Sequence, residues 1–254
     1  MNTGTQRGFT LVELMIAMLM ALFLIGGLVT LVQAMKSTTL SQNGLSQLQE
    51  SERMAMTLMA DVIQSAGYFP NPLANTAASS FPISAPFTAT GQTLFGSGNF
   101  TDGPPGNSIT VRYLTSGTGS ATPDNVIDCT GNTSTVAATL VNTFSIDANG
   151  NLQCLVTVNG VAAAAPVPLI SGLSSMQIYY GVQTNTAVGT NSIDAYLDAN
   201  TVAAGPYWSN VKSVKITLTF LNPLFGQAGQ TGVARQFITF TRIIDVMNKT
   251  GVTT

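Results

Sequence analysis

The chain has 254 residues, a formal net charge of −2 and charged side chains at only 8% of positions, against about 25% in ordinary soluble proteins. It contains no histidine, which excludes every catalytic arrangement that needs an imidazole. No G-x-S-x-G, phosphate-binding loop or dinucleotide fingerprint occurs, so the reading is of a non-enzyme with no catalytic residue, no metal site and no cofactor.

The first eight residues carry one charge, Arg7, and from Gly8 to Met35 the sole charged residue is Glu13. As a helix, the run from Phe9 to Gln33 would be about 37 Å long, enough to cross a hydrocarbon core of about 30 Å. The basic side stays in the cytoplasm, so the bulk of the chain is exported. An ordinary signal peptide has a shorter apolar core and then a small-residue cleavage site. Here the only such pair, Gly26-Gly27, has apolar residues on both sides. A plain single-pass anchor accounts for the length but gives Glu13 no role. A carboxylate in a bilayer is costly unless paired or neutralised, which marks Glu13 as a functional position.

The stretch Gly8-Phe9-Thr10-Leu11-Val12-Glu13 closely resembles the class III signal of type IV pilins and pseudopilins. The resemblance implies that a prepilin peptidase cuts between Gly8 and Phe9, that Phe9 becomes an N-methylated N-terminus, and that the helix is kept as membrane anchor and assembly module. Phe9 and Glu13 are then the assembly residues. The new ammonium lies a few residues from Glu13, and an opposite charge in a low-dielectric setting stabilises a carboxylate strongly. In a packed filament Glu13 would reach the terminal amine of a neighbouring subunit, so that pairing on assembly favours extraction from the bilayer. The alternative is an acid that merely snorkels to the interface.

Past the membrane run, Leu45, Leu48, Ala55, Leu58, Met59, Val62 and Ile63 recur at helical spacing. The spacing predicts one long helix from about Phe9 to Ala66, with residues 9–33 spanning the membrane and residues 34–66 forming an amphipathic continuation. Gly26, Gly27 and Gly44 weaken it by about 1 kcal/mol each relative to alanine. Gly67, Pro70 and Pro72 end it. Arg53, Ala55, Asp61, Ala66, Gly67 and Tyr68 form a second point of resemblance, to the stretch that follows the anchor in PilW-type minor pilins. Ala60 and Gln64 stand where that pattern usually has basic residues. Pseudopilins of type II secretion, of the GspJ group, are similar in anchor and aspartate but less so in the Ala-Gly-Tyr ending.

Residues 67–254 read as a β-rich head. Residues 71–107, rich in Pro, Gly, Ser, Ala and Asn, read as an irregular excursion. Ser108–Leu114 alternates as a strand. Thr143–Ile146 and Leu152–Val158 flank Asn149-Gly150, a strong hairpin signal. Asp147, Asn149 and Asn151 mimic the start of a calcium loop, but the closing glutamate is missing, so the reading is a turn. Leu169 to Val182 reads as a strand, Ala195–Ala199 as a short helix inside a loop, Lys212–Phe220 as the clearest alternating strand, and Gln236 to Val246 as the last.

Cys129 and Cys154 are an even pair in an exported chain, which reads as a disulfide; the competing reading is two buried thiols. From Ala66 to Asn210 acids dominate, with only Arg112 opposing them, and basic residues gather after Val211. Neither region has the clustered footprint of a nucleic-acid binder, and no nucleic-acid partner is expected.

The fold class expected is therefore α+β, pilin-like: a long N-terminal helix whose first half spans a membrane, packed on an antiparallel β-sheet head. The resemblance implies a PilW-like minor pilin of a type IV pilus that helps to initiate assembly and resides at the filament tip, supporting adhesion and twitching motility. Its implied partners are other minor pilins and the major pilin through the N-terminal helix, the prepilin peptidase, a large tip adhesin and the bacterial inner membrane. The head would be periplasmic before assembly and extracellular in the pilus after it. The alternatives are a type II secretion pseudopilin and a pilin whose acidic, Thr-rich head binds a surface ligand directly. Replacing Gly8 by a bulky residue is expected to leave uncleaved precursor, seen as a retained leader by intact-mass measurement; full processing would contradict the class III reading.

Overall fold

The computed structural model describes residues 8, 10–99, 106–185, 192–226, 232 and 236–247. The chain divides into two compact units, Met1–Gln47 and Leu48–Thr254. Helix α1, Leu11–Gln64, runs for 54 residues through both. Its start has a sequence cause. Thr10 precedes the first turn, and its hydroxyl accepts weakly from the Glu13 amide at 3.4 Å. Glu13 itself lies in that first turn, where the exposed amides and the helix dipole favour a negative charge.

Within the first unit every described side chain from Leu11 to Leu40 is exposed, and most are large and apolar. The three threonines between Leu11 and Leu40 are satisfied locally. Thr30 donates to the Gly27 carbonyl at 2.8 Å, Thr38 to Ala34 at 2.9 Å and Thr39 to Met35 at 3.0 Å. Such back-bonding lets a hydroxyl sit on a helix that has no water beside it.

Within the second unit, Leu48, Ala55, Met56, Met59, Val62 and Ile63 of α1 are buried in the core. The helix ends where Gly67 takes φ +76°, a left-handed conformation that a side chain adopts only with strain. A Cβ there would also lie 3.1 Å from Thr93 Cγ2. The turn is then tied to the sheet on both sides: the Gly67 amide donates to the Arg112 carbonyl at 3.0 Å, and the Leu114 amide donates to the Tyr68 carbonyl at 2.8 Å.

Two antiparallel sheets complete the head. In the first, β1 (Leu94–Ser97), β2 (Ser108–Thr115), β3 (Ala138–Ile146) and β4 (Leu152–Val158) pair in order. The two-residue β5 (Val161–Ala162) and then β6 (Val167–Ile170) both pair with β4. The second sheet has the order β10-β9-β7-β8, built from β7 (Leu173–Val182), β8 (Ala195–Leu197), β9 (Val211–Leu221) and β10 (Phe237–Asp245). Met176, Ile178 and Tyr180 on β7 face Leu218, Ile216 and Val214 on β9. All six are buried, as the period-two pattern of both strands requires. Trp208, in a 3-10 turn at Tyr207–Asn210, meets the Tyr180 ring edge-on with centroids 4.9 Å apart.

The expected α+β, pilin-like architecture is present, with differences in detail. The excursion at 71–107 is not wholly irregular: it carries α2 (Ala77–Ser80) and the edge strand β1. Part of that excursion, residues 100–105, lies outside the described residues. Ala195–Leu197 is a strand rather than a helix, because it pairs with Tyr180–Val182. The helix begins after it, as α3 (Ala199–Ala204), with Asp198 Oδ1 accepting from the Thr201 amide at 2.7 Å. Leu169 to Val182 is two strands, broken around Gly172, whose φ is +89°.

Arg112 was legible only as a lone cation among acids, yet it organises the excursion. It is 2% exposed, and its guanidinium donates to three main-chain carbonyls: Gln92 at 2.7 Å, Pro82 at 2.8 Å and Phe81 at 3.2 Å. It also lies 4.2 Å from the Phe87 ring centroid, within cation–π range. Burial pulls its pKa down to about 10, so the group stays charged at neutral pH. Arg112→Met should destabilise the head by about 3 kcal/mol, because it leaves buried carbonyls without donors. Thermal unfolding of the variant reads this directly, and a melting temperature equal to the parent's would refute the clamp.

Candidate assembly site

The residues singled out at the start of the chain fall around the beginning of α1. Gly8 and Thr10 are described and exposed, Glu13 is exposed in the first turn, and Phe9 lies outside the described residues. Among the described residues nothing lies within 4 Å of the position that a Cβ on Gly8 would take. The local chain thus leaves the Gly8 backbone open. Among the described residues no cation pairs with the Glu13 carboxylate. From Glu13 the helix continues with apolar side chains long enough to cross a membrane.

The second point of resemblance forms the junction between α1 and the sheet. Ala55, Ala66 and Gly67 are buried, so a larger side chain at any of them would meet packed neighbours. Tyr68 is half-buried, and burial together with the nearby Asp124 carboxylate raises its pKa. Arg53 and Asp61 are exposed on α1, with Arg53 Nη2 2.8 Å from Glu50 Oε2. The pattern thus divides into a buried part that docks the helix and an exposed part that the core does not use.

Cys129 and Cys154 form a disulfide, with Cα atoms 6.4 Å apart and both residues buried. It ties the loop between β2 and β3 to strand β4. Sequence reasoning missed the two supports beside it. The Tyr113 hydroxyl donates to the Ile127 carbonyl at 2.6 Å, and the Cys129 amide donates to Asn142 Oδ1 at 2.9 Å. No pattern in the sequence announces either bond, because both join residues more than ten positions apart through the core.

The hairpin carboxylate is engaged by the chain. Asp147 Oδ1 accepts from the Asn149 and Asn151 amides at 2.8 Å each, and Oδ2 accepts from Asn151 Nδ2 at 2.8 Å. The Asn151 bonds, main chain and then side chain, hold its carboxyl below the usual aspartate range. Asp194 is held low in the same way by the amides of Thr184 and Asn185. These acids are turn-formers.

Two family models match the chain. Residues 4–29 match the prokaryotic N-terminal methylation motif, and residues 132–244 match the family described as type IV pilus-assembly protein W. The first covers the Gly8–Glu13 motif and the opening of α1. The second runs through the disulfide partner Cys154 and strands β3 to β9 into β10. No curated protein matches the chain. Fold and N-terminal motif together define a type IV pilin-like chain, a long apolar helix followed by antiparallel sheets. The match to type IV pilus-assembly protein W lies in its head, and the two matches together are consistent with a minor pilin of a type IV pilus.

Replacing both cysteines by serine should lower the stability of the head by roughly 3 kcal/mol, as expected for a bridge closing a loop of this size. Thermal unfolding of the oxidised chain and of the double variant measures the difference. Equal melting temperatures would show that the hydrogen bonds to Ile127 and Asn142 hold the loop alone.

Proposed function

We propose that the chain acts as a minor pilin that helps to start assembly of a type IV pilus from the inner membrane and then resides at the filament tip. In this reading residues 1–8 are a leader, residues 9–33 span the membrane, residues 34–66 continue the helix, and residues 67–254 form the exported head. The prepilin peptidase cuts between Gly8 and Phe9, and Phe9 is methylated. The partners are the other minor pilins and the major pilin along the helix, with a large adhesin at the tip. Adhesion and twitching motility are the cellular outputs.

One observation carries the reading. A glycine-aromatic junction with an acid at Glu13 opens a membrane-capable helix in the same chain as a PilW domain. The physical role of Glu13 follows. In the bilayer its carboxylate has no cation from the described part of its own chain, and that state is expensive. The terminal ammonium of an adjacent subunit supplies the missing charge in the filament, where a low dielectric makes the pair strong. The acid therefore biases each subunit toward assembly and sets its axial register. Thr10, which accepts from the Glu13 amide, starts the helix turn that carries the acid.

Glu13→Val should keep the chain in the inner membrane while reducing its incorporation into pili by about tenfold or more, since even a pairing of 1.4 kcal/mol is worth a factor of ten. Quantitative immunoblots of membranes and sheared filaments read both quantities. Normal incorporation of the variant would remove this account of Glu13.

A further inference from the structure

The exposed half of the α1 pattern borders a groove. Between the helix and the disulfide loop lies a cavity of about 320 Å³, walled by Met54, Leu58, Val62, Ile127, Asp61 and Asp128. Met54 and Ile127, which both line it, are 52% and 44% exposed, so the groove offers apolar surface to a partner. The floor is rigid, since Ile127 and Cys129 are held by Tyr113, Asn142 and the disulfide.

The charges around this groove are unequal. Glu50 and Arg53, at its upper end, neutralise each other through a bidentate contact. Asp128 Oδ1 is occupied by the amide and hydroxyl of Thr130 and the amide of Asn132. Asp61 is exposed, and among the described residues its carboxylate has no hydrogen bond or ion pair. It also borders a second groove of about 380 Å³ with Gln64, Tyr68, Val126 and Met247. A carboxylate with no partner among the described residues, set beside the apolar walls of Met54, Leu58 and Ile127, suits a cation carried on an apolar stem, which is the chemistry of lysine and arginine side chains. It does not suit a metal ion, which needs several oxygen ligands at once.

We infer that this groove receives a lysine or arginine side chain from the head of another pilin subunit, with its stem against Met54, Leu58 and Ile127 and its charge on Asp61. The inference rests on the pilin reading, because it is the filament that would bring a second head to this face. It gives Asp61 a role between subunits that the packing of its own head does not.

The test uses the full-length chain in cells that assemble the pilus. A photoreactive phenylalanine analogue at Thr57, which is exposed in the groove, is irradiated and the crosslinked peptide is sequenced. The expected product is a peptide of another pilin with a lysine or arginine within a few residues of the crosslink. Asp61→Lys should lower its yield roughly two- to fivefold, the range for one lost surface ion pair. Exchanging the mapped partner cation for aspartate should restore the yield in the Asp61→Lys background. Non-reducing electrophoresis confirms that the variant keeps its disulfide and so its folded head. A crosslink to the chain's own C-terminal residues, to an uncharged or acidic segment, to lipid alone or to nothing would overturn the inference, as would a yield indifferent to Asp61. If the chain is processed and present in filaments while these results fail, the groove assignment alone falls; absence from filaments instead removes the pilin reading.

Discussion

Burial of one face of α1 against two antiparallel sheets is the interaction on which the head depends. Met56, Met59, Val62 and Ile63 are all withdrawn from water, and each such side chain contributes about 1.5–3 kcal/mol. The helix is also held at its end. Ala66 is fully buried, Gly67 makes the left-handed turn, and the main chains of Gly67 and Tyr68 bond to β2 on either side of Tyr113. Strand β2 in turn carries Arg112, which fixes the loop from Phe81 to Gln92 by hydrogen bonds to its carbonyls. Helix, turn, strand and excursion are thus one chain of dependencies.

The same helix meets a different demand earlier in its length. Its Leu11–Leu40 side chains are exposed and largely apolar, which is unfavourable in water and favourable in lipid or among other helices of the same kind. Thr30, Thr38 and Thr39 turn their hydroxyls onto the preceding turn. Glu13 is left as the one charge between Gly8 and Met35. A part that needs an apolar surround and a part that builds a soluble core are joined without a break, and that combination is what a subunit moving from membrane to filament requires.

The features legible in the sequence were those with local causes. The period-3.6 pattern from Leu45 to Ile63, the helix stop at Gly67, the alternation of Lys212–Phe220 and the Asn149-Gly150 hairpin each follow from neighbours in the chain, and each is present in the fold. The even cysteine pair led to the observed bridge. What stayed hidden was set at long range. Ala195–Leu197 looks helical by composition and is a strand because the edge of β7 is open beside it. Leu94–Ser97 lies in a stretch rich in turn residues and becomes β1 because β2 offers a partner. Arg112 reads only as a lone cation among acids; its burial depends on carbonyls some twenty to thirty positions away. The residues proposed for processing and assembly, Gly8, Phe9 and Glu13, were singled out by the motif, whereas the groove beside Asp61 needed the disulfide loop to be in place.

The central claim is that this chain is a processed, sparsely incorporated pilus subunit. Mass spectrometry of sheared surface filaments against the membrane fraction tests it most directly. The account predicts a peptide beginning at N-methylated Phe9 in the filament sample, at far lower abundance than the shaft subunit. A chain found only in membranes, or one still carrying residues 1–8 in every fraction, would contradict it.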